Sequence, residues 1–398
     1  MIETKFKHTD IGPVPKEWEV KTLSEVGSFS KGRGISRAES NSGKLPAVRY
    51  GELYTDHNDY IKKFRSYIST DVAKGAKLIH KGDILFAASG ETKEDIGKSV
   101  TFINDFDAYA GGDIIILSPQ GNYDPIYLGF ISNSKLVQSQ KASRGQGDAV
   151  VHIVTSDLGT IQISLPPLPE QRRIASALMK VDGLIANLDK LIAKKQAIKK
   201  GAMQELLTGK KRLPGFKGEW KEVRLGDIFN ISAGGDLDKK HFSPSYSSLF
   251  QYPIYSNSFQ NHGLYGYTSI PKYKSETITV TGRGYLGHAE YRDKSYDAII
   301  RIIILTPKMK VNCYLISEII NFSKPFVIES TSIPQLTAPQ VAQSVVEIPP
   351  LPEQRAIAHV LSVMDSDISL LEQKREKMKA VKQGMMHDLL TGRIRLTE

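Results

Sequence analysis

The heptapeptide Pro166-Pro167-Leu168-Pro169-Glu170-Gln171-Arg172 opens a long helical pattern that closes at Leu206-Leu207-Thr208-Gly209. The stretch occurs twice: Pro166 recurs as Pro349 and Gly209 as Gly392, both displaced by the same 183 residues. Such a repeat constrains the architecture before any single residue does, because one supersecondary piece must be used two times over. In the first copy Ile174, Leu178, Val181, Ile185, Leu188 and Ile192 alternate steps of four and three, the apolar seam of a coiled coil. Ile357, Leu361, Met364, Ile368 and Leu371 hold the matching places in the second. Pro169 and Pro352 suit a first helical turn, Glu170 and Glu353 the positive helix end, and Gly209 and Gly392 the C′ position. A helix from Pro169 to Leu207 is roughly 58 Å long at 1.5 Å per residue, more than one small core covers. Two such helices either fold back into separate domains or pack on each other; the second is expected, as an intramolecular antiparallel coiled coil with pseudo-twofold symmetry. Gly201 and Gly384 are equivalent and interior to the helices, which predicts close helix approach or a bend. Past Ile192 and Leu371 the seam admits Lys195, Lys199, Arg375 and Lys382, read as stretches where pairing loosens.

The globular parts are duplicated along with the helices. Trp18 aligns with Trp220, Leu23 with Leu225 and Gly32 with Gly234, while Ile114–Pro119 answers Ile302–Pro307 as a buried strand stopped by proline. Tyr127-Leu128 and Tyr314-Leu315 begin short helical patterns. Residues 33–108 and 235–295 share little beyond short β-branched runs between turn residues, which predicts strand-rich domains with diverged contents. The chain divides into a globular segment 1–165, a helix 166–210, a globular segment 211–348 and a helix 349–398, an α+β architecture. Arg393-Ile394-Arg395-Leu396 after Gly392 matches Lys210-Lys211-Arg212-Leu213 after Gly209. Phe6–Pro13 could follow the first of these as Pro214–Lys217 follows the second, so the sequence is almost circular.

With 398 residues, 40% of them hydrophobic, there is material for two or three domains. No apolar run reaches the length of a membrane span. The strongest, Ile299–Leu305, carries Arg301 and reads as a strand. Met1–Lys5 has no signal-type apolar segment, and the single cysteine, Cys313, fits a reducing cytoplasm. A formal net charge of +10 suits a polyanionic partner.

Catalytic motifs are nearly absent. Gly282-Arg283-Gly284-Tyr285-Leu286-Gly287 matches a dinucleotide glycine fingerprint, but no helix pattern follows it, so a tight turn exposing Arg283 and Tyr285 is expected. Asp124-Pro125-Ile126-Tyr127 is close to the Asp-Pro-Pro-Tyr signature of amino-methyltransferases, yet reads better as an N-cap followed by a first-turn proline. The nine histidines and one cysteine show no metal-ligand spacing. Loops rich in donors remain. In the first domain they carry Lys31, Arg33, Arg37, Lys93, Arg144 and Gln146, within Lys31–Arg37, Ser89–Lys93 and Ser143–Asp148. In the second they carry Lys239, Lys240, Asn257, Asn261, Arg283 and Tyr285, within Asp238–His241, Ser256–His262 and Thr281–Tyr285. Arginine and lysine reach phosphates or guanine, asparagine and glutamine pair with adenine, and glycine lets backbone approach a groove, so these are the candidate DNA-binding residues. A free-standing DNA methyltransferase or nuclease, and a coiled-coil adaptor with no DNA role, are the competing readings.

The doubled Pro-Pro-Leu-Pro-Glu-Gln-Arg motif, the seam helix ending in Leu-Leu-Thr-Gly and the Glu17-Trp18 and Glu219-Trp220 domain openings resemble the DNA-specificity (S) subunits of type I restriction-modification systems. The resemblance covers essentially the whole chain. It implies two target recognition domains, each reading one half of a bipartite site on double-stranded DNA. It also implies helices that set the half-site spacing and dock two methyltransferase (M) subunits, with restriction (R) subunits joining the full complex. The chain itself would then be non-catalytic and without cofactors, S-adenosylmethionine, ATP and Mg belonging to partner subunits.

Overall fold

The computed structural model describes residues 5–147, 150–258, 260–326 and 334–397, so Asp148 and Phe259, members of two donor-rich loops, lie outside the described residues. The chain forms two compact units: Met1–Asp189 with Lys374–Glu398, and Lys190–Gln373. The first long helix runs Leu168–Leu206 and the second Leu351–Leu390, so each unit holds part of both.

In the first unit Ile174 and Leu178 are fully buried in one core with Trp18, Leu23, Phe86, Leu389 and Leu390. Asp182 meets Lys382 at 2.9 Å and Asp189 meets Arg375 at 3.4 Å, rising numbers on one helix against falling numbers on the other, so the two segments are antiparallel. In the second unit Ile357 and Leu361 share a core with Leu206 and Leu207, and Lys195–Asp367 (3.0 Å) and Lys199–Asp365 (2.6 Å) give the same sense. Val181, Ile192 and Ile368 are buried, and Ile185, Leu188, Met364 and Leu371 half-buried. These are the residues of the apolar seam. Its four basic residues are not places of loosened pairing: each is ion-paired across to the other helix, because a long aliphatic stem lets the charge leave the seam and reach a carboxylate beside it. Nothing lies within 4 Å of where a Cβ would stand on Gly201 or Gly384, so close packing within the chain does not account for them.

The segments that diverge in sequence are built on one frame. In the first unit an antiparallel sheet has the order Ser99–Thr101, Ile84–Ala87, Ile114–Pro119, Gly27–Lys31. A second sheet has the order Ser66–Ile68, Leu45–Val48, Ala108–Ala110, Lys77–Ile79, its middle two strands parallel. The second unit repeats the first sheet as Ala289–Arg292, Thr277–Val280, Ile303–Pro307, Phe229–Ala233. Its other sheet runs Phe242–Ser243, Leu264–Thr268, Tyr252–Tyr255, Asp297–Ala298, the last two again parallel. The run expected as a strand from Ile299 begins only at Ile303: Ile300 and Arg301 take left-handed φ of 54° and 56° and form a turn instead.

The heptapeptide motif ties each domain to its helices. Gln171 accepts the Asp124 backbone N–H (2.9 Å) and donates to the Pro166 carbonyl (2.8 Å); Gln354 does the same with Asn312 (2.9 Å) and Pro349 (2.8 Å). Asp124 and Asn312 are the N-caps of helices Pro125–Ser132 and Cys313–Ser323, so one buried amide fixes where each short helix starts. Glu170, 2% exposed, receives the Arg395 guanidinium through two bonds of 2.8 Å and the Trp18 indole N–H at 3.1 Å. Glu353 receives Arg212 at 2.6 and 2.5 Å. Arg395 lies over Trp18 and Arg212 over Trp220, at 5.5 and 5.8 Å. The two units therefore close alike, as the matching tails predict. The entry segments differ: Phe6–Thr9 and Gly12–Pro15 form a hairpin, while a plain turn follows Leu213.

Candidate nucleic-acid interface

In the first unit strand Gly27–Lys31 ends at Gly32, where a Cβ would stand 2.0 Å from the Gly111 carbonyl, so only glycine permits this crossing. The crossing is sealed by Gly32 N–H to Ile114 (2.8 Å) and Gly112 N–H to Gly34 (3.0 Å). Ile35, buried and left-handed at φ 61°, pegs the following loop, leaving Arg33 and Arg37 exposed. Lys31, Arg33 and Arg37 make no side-chain hydrogen bond or ion pair among the described residues. The turn at Gly111–Asp113 also accepts Ala88 N–H through the Asp113 carbonyl (2.9 Å), bringing the next loop alongside. There Ser89-Gly90 pairs with Val151-His152, Gln146 bridges to His152, and Ser89 Oγ meets His152 Nδ1 at 3.0 Å. Lys93 and Gln146 are thus brought together on exposed loops. Arg144 is committed elsewhere: its guanidinium donates to Thr160 Oγ1 (2.8 Å) and the Gln140 carbonyl (2.9 Å), tying two helices.

The second unit has the same crossing at Gly234, where a Cβ would lie 2.6 Å from the Ala298 carbonyl. Its turn is the left-handed pair Ile300-Arg301, with Ile300 N–H donating to Gly235 (3.1 Å). Asn257 clamps two loops here, donating to the Ile300 carbonyl and accepting Gly282 N–H at 2.7 Å. Gly282 in turn accepts Leu336 N–H (3.0 Å), and the exposed Arg283 donates to Gln335 (3.1 Å). The glycine-rich segment is a loop between antiparallel strands Thr277–Val280 and Ala289–Arg292, as expected of a tight turn. Tyr285 stands 58% exposed at its tip. Asn261 and His262, left-handed at φ 48° and 54°, complete the cluster. His262 and His288 meet Glu290 at 3.0 and 3.1 Å; burial works to raise the Glu290 carboxyl, but these two contacts hold it below its ordinary value. Buried Arg292 supports the loop from beneath, its guanidinium 3.5 Å from the Tyr255 ring and bonded to the His262 carbonyl (3.1 Å).

Asn257, Asn261, Arg283 and Tyr285 are brought together by this network, Asn257 as a brace. Lys239 and Lys240 lie apart on a short turn capped by Asp238 and make no side-chain bond among the described residues. Arg301, exposed in the strained turn, joins the cluster and was missed because an arginine inside an apolar run reads as part of a strand. Left-handed non-glycine residues are costly and gather where surrounding structure enforces a functional shape. Each unit thus gathers backbone and cationic side chains from several loops, a set whose chemistry suits phosphate and base edges. Among the described residues no three histidine, cysteine or acidic side chains gather as a metal site, and no helix is long and apolar enough to cross a membrane.

The model of the type I restriction modification DNA specificity domain matches residues 15–199 and again 217–380. A putative type I restriction enzyme MjaX specificity subunit of Methanocaldococcus jannaschii is 27% identical over 99% of this chain and 97% of its own length. The MjaVIII specificity subunit of the same organism is 23% identical over 99% and 97%. The crystal structure of a type I restriction-modification S subunit from M. genitalium superposes with a TM-score of 0.66 at 17% identity, covering 98% of this chain and 99% of that one; at such identity the likeness is one of fold. With both halves of the chain matched, on the two units that share one frame, this protein belongs to the family of type I restriction modification DNA specificity subunits.

Proposed function

We propose that each unit reads one half of an asymmetric, bipartite site on double-stranded DNA, and that the chain acts as the selecting, non-catalytic subunit of a type I restriction-modification complex in the cytoplasm. The observation that carries this reading is one strand frame used twice with different loop chemistry: an Arg33, Arg37, Lys93 and Gln146 surface on the first, an Arg283, Tyr285, Asn261 and Arg301 surface on the second. Identical frames hold two readers in the same pose, while unlike loops give them unlike targets. The paired helices serve as spacer and as platform for two methyltransferase subunits, and restriction subunits complete the assembly. S-adenosylmethionine, ATP and Mg act on those partners. The exposed Arg172 and Arg355, the only motif side chains with an ionic group and no internal partner among the described residues, suit such docking.

The test is co-expression with the cognate methyltransferase subunit, followed by genome-wide mapping of adenine methylation. A single interrupted motif, its two halves altered independently by loop changes in one unit or the other, is the expected result. An uninterrupted motif, or S-adenosylmethionine binding by this chain alone, would overturn the reading.

A further inference from the structure

The lysines that cross the helix pair do more than join helix to helix. In the first unit Lys382 meets Asp182 on the other long helix at 2.9 Å and Asp59 of the globular domain at 2.7 Å. The three side chains are 14%, 11% and 7% exposed, and the Phe130 ring lies 5.1 Å from the ammonium. Asp59 is itself held by Asn133 (3.1 Å), and its backbone carbonyl by Thr101 N–H (3.1 Å). In the second unit Lys199 meets Asp365 at 2.6 Å, while helix Cys313–Ser323 supplies Glu318 at 3.9 Å from the lysine and the Tyr314 hydroxyl, which donates to Asp365. Lys199 and Lys382 are repeat equivalents, as are Asp182 and Asp365, each pair 183 residues apart. The helix-borne half of the node is the same in both units. The domain-borne half is not, since an aspartate from a loop does in one what a tyrosine and a glutamate from a helix do in the other.

We infer that Lys382 and Lys199 are positioning residues that fix the angle at which each recognition domain stands on its helices, and through it the length of DNA tolerated between half-sites. This rests on the bipartite reading proposed above. Apolar packing between domain and helix is non-directional and permits sliding, whereas one ammonium shared by a helix carboxylate and a domain group has a single low-energy arrangement. Two carboxylates around one lysine give little net stabilisation, so registry is the better account of a partly buried charged node that occurs in both units.

The experiment uses the complex of the full chain with its methyltransferase subunits and a set of duplexes carrying the native spacing or one base pair more or less. K382M and K199M should each lower the affinity ratio between native and altered spacing by about fivefold or more, while the penalty for a wrong base within a half-site stays within about twofold. K382R, which keeps a cation between the two carboxylates, should restore the ratio. Asp59→Asn and Tyr314→Phe remove only the domain's share and serve if a lysine variant fails to assemble; they should relax spacing in the same direction. Unchanged ratios in assembled variants, or equal losses on every duplex, would overturn the inference. A wild-type complex indifferent to spacing would instead overturn the bipartite reading beneath it.

Discussion

Replacing Arg395 by methionine should unfasten the first unit and leave the second intact. The Glu170 carboxylate is 2% exposed and is satisfied chiefly by the two 2.8 Å bonds from Arg395. Methionine fills much of the volume over Trp18 but leaves that carboxylate buried without its cation. Removing one partner of a buried pair costs about 3–5 kcal/mol, and the lower end applies because the Trp18 indole (3.1 Å) and the Leu396 amide (3.2 Å) still donate. For a unit of about 200 residues, about 3 kcal/mol corresponds to a fall in Tm of roughly 6–12 °C. The chain has two tryptophans and one cysteine, which separates the units experimentally. In a W220F background Trp18 fluorescence follows the first unit, and labelling of buried Cys313 follows opening of the second. Adding Glu170→Gln to R395M should recover most of the loss, since no uncompensated charge remains. A shift below about 1 kcal/mol in the Trp18 transition, or an equal shift in the Cys313 midpoint, would refute the clamp as the closing element of the first unit.

Two further outcomes concern a buried lysine of the first unit and the arginines of the candidate interface. Lys141, wholly buried and, among the described residues, hydrogen-bonded only to the carbonyls of Gly97 (2.7 Å) and Ser132 (3.0 Å), has its pKa pulled down to about 7 by burial, so the unfolded chain binds one more proton above that pH. Stability of the first unit should therefore rise with pH from about 7 toward the ordinary lysine range, by up to about 1.4 kcal/mol per pH unit from this group, and denaturant titrations of K141M should lack that rise. In DNA binding by the assembled complex, Arg33→Ala and Arg283→Ala should each cost about 1–3 kcal/mol for one half-site only, whereas Arg144→Ala should leave affinity unchanged and lower the thermal stability of the first unit.

Much of the scaffold is legible in the sequence because it rests on side-chain identity. A proline, a seam spacing and a left-handed glycine each dictate a local geometry, and the long helices begin and end within three residues of those marks. The matching Arg212 and Arg395 are visible in the repeat as well, although their carboxylate partners, some 140 and 225 residues away, are not. The shared frame of the globular segments is hidden for the opposite reason: its ladders are backbone hydrogen bonds that many β-forming residues make, so strands such as Leu45–Val48 and Tyr252–Tyr255 keep their place with only a proline at the second position in common. At the candidate interface, composition picks out donor-rich loops but does not reveal which side chains are spent inside the fold. Asn257 and Arg144 are donors in the sequence and braces in the fold. Lys382 read as a flaw in a seam because an apolar template has no place for the carboxylates it reaches.

The way the first unit is assembled from separated lengths of chain bears on how it is made. Residues 190–373 form a unit complete in themselves, whereas the first unit takes in residues 374–397 as well, among them Leu389, Leu390 and Arg395. On a ribosome, Trp18, Leu23 and Phe86 precede Ile174, Leu178 and Glu170, but the partners these three have in Leu389, Leu390 and Arg395 are synthesised only after the whole of the second unit. At about 5–20 residues per second that is a delay of roughly 10–40 s, during which an apolar helix face and a carboxylate due for burial stay open to solvent. The second unit can fold in that interval, so the part of the protein encoded later is finished earlier, and the first is the one exposed to chaperones, proteases and wrong partners while it waits.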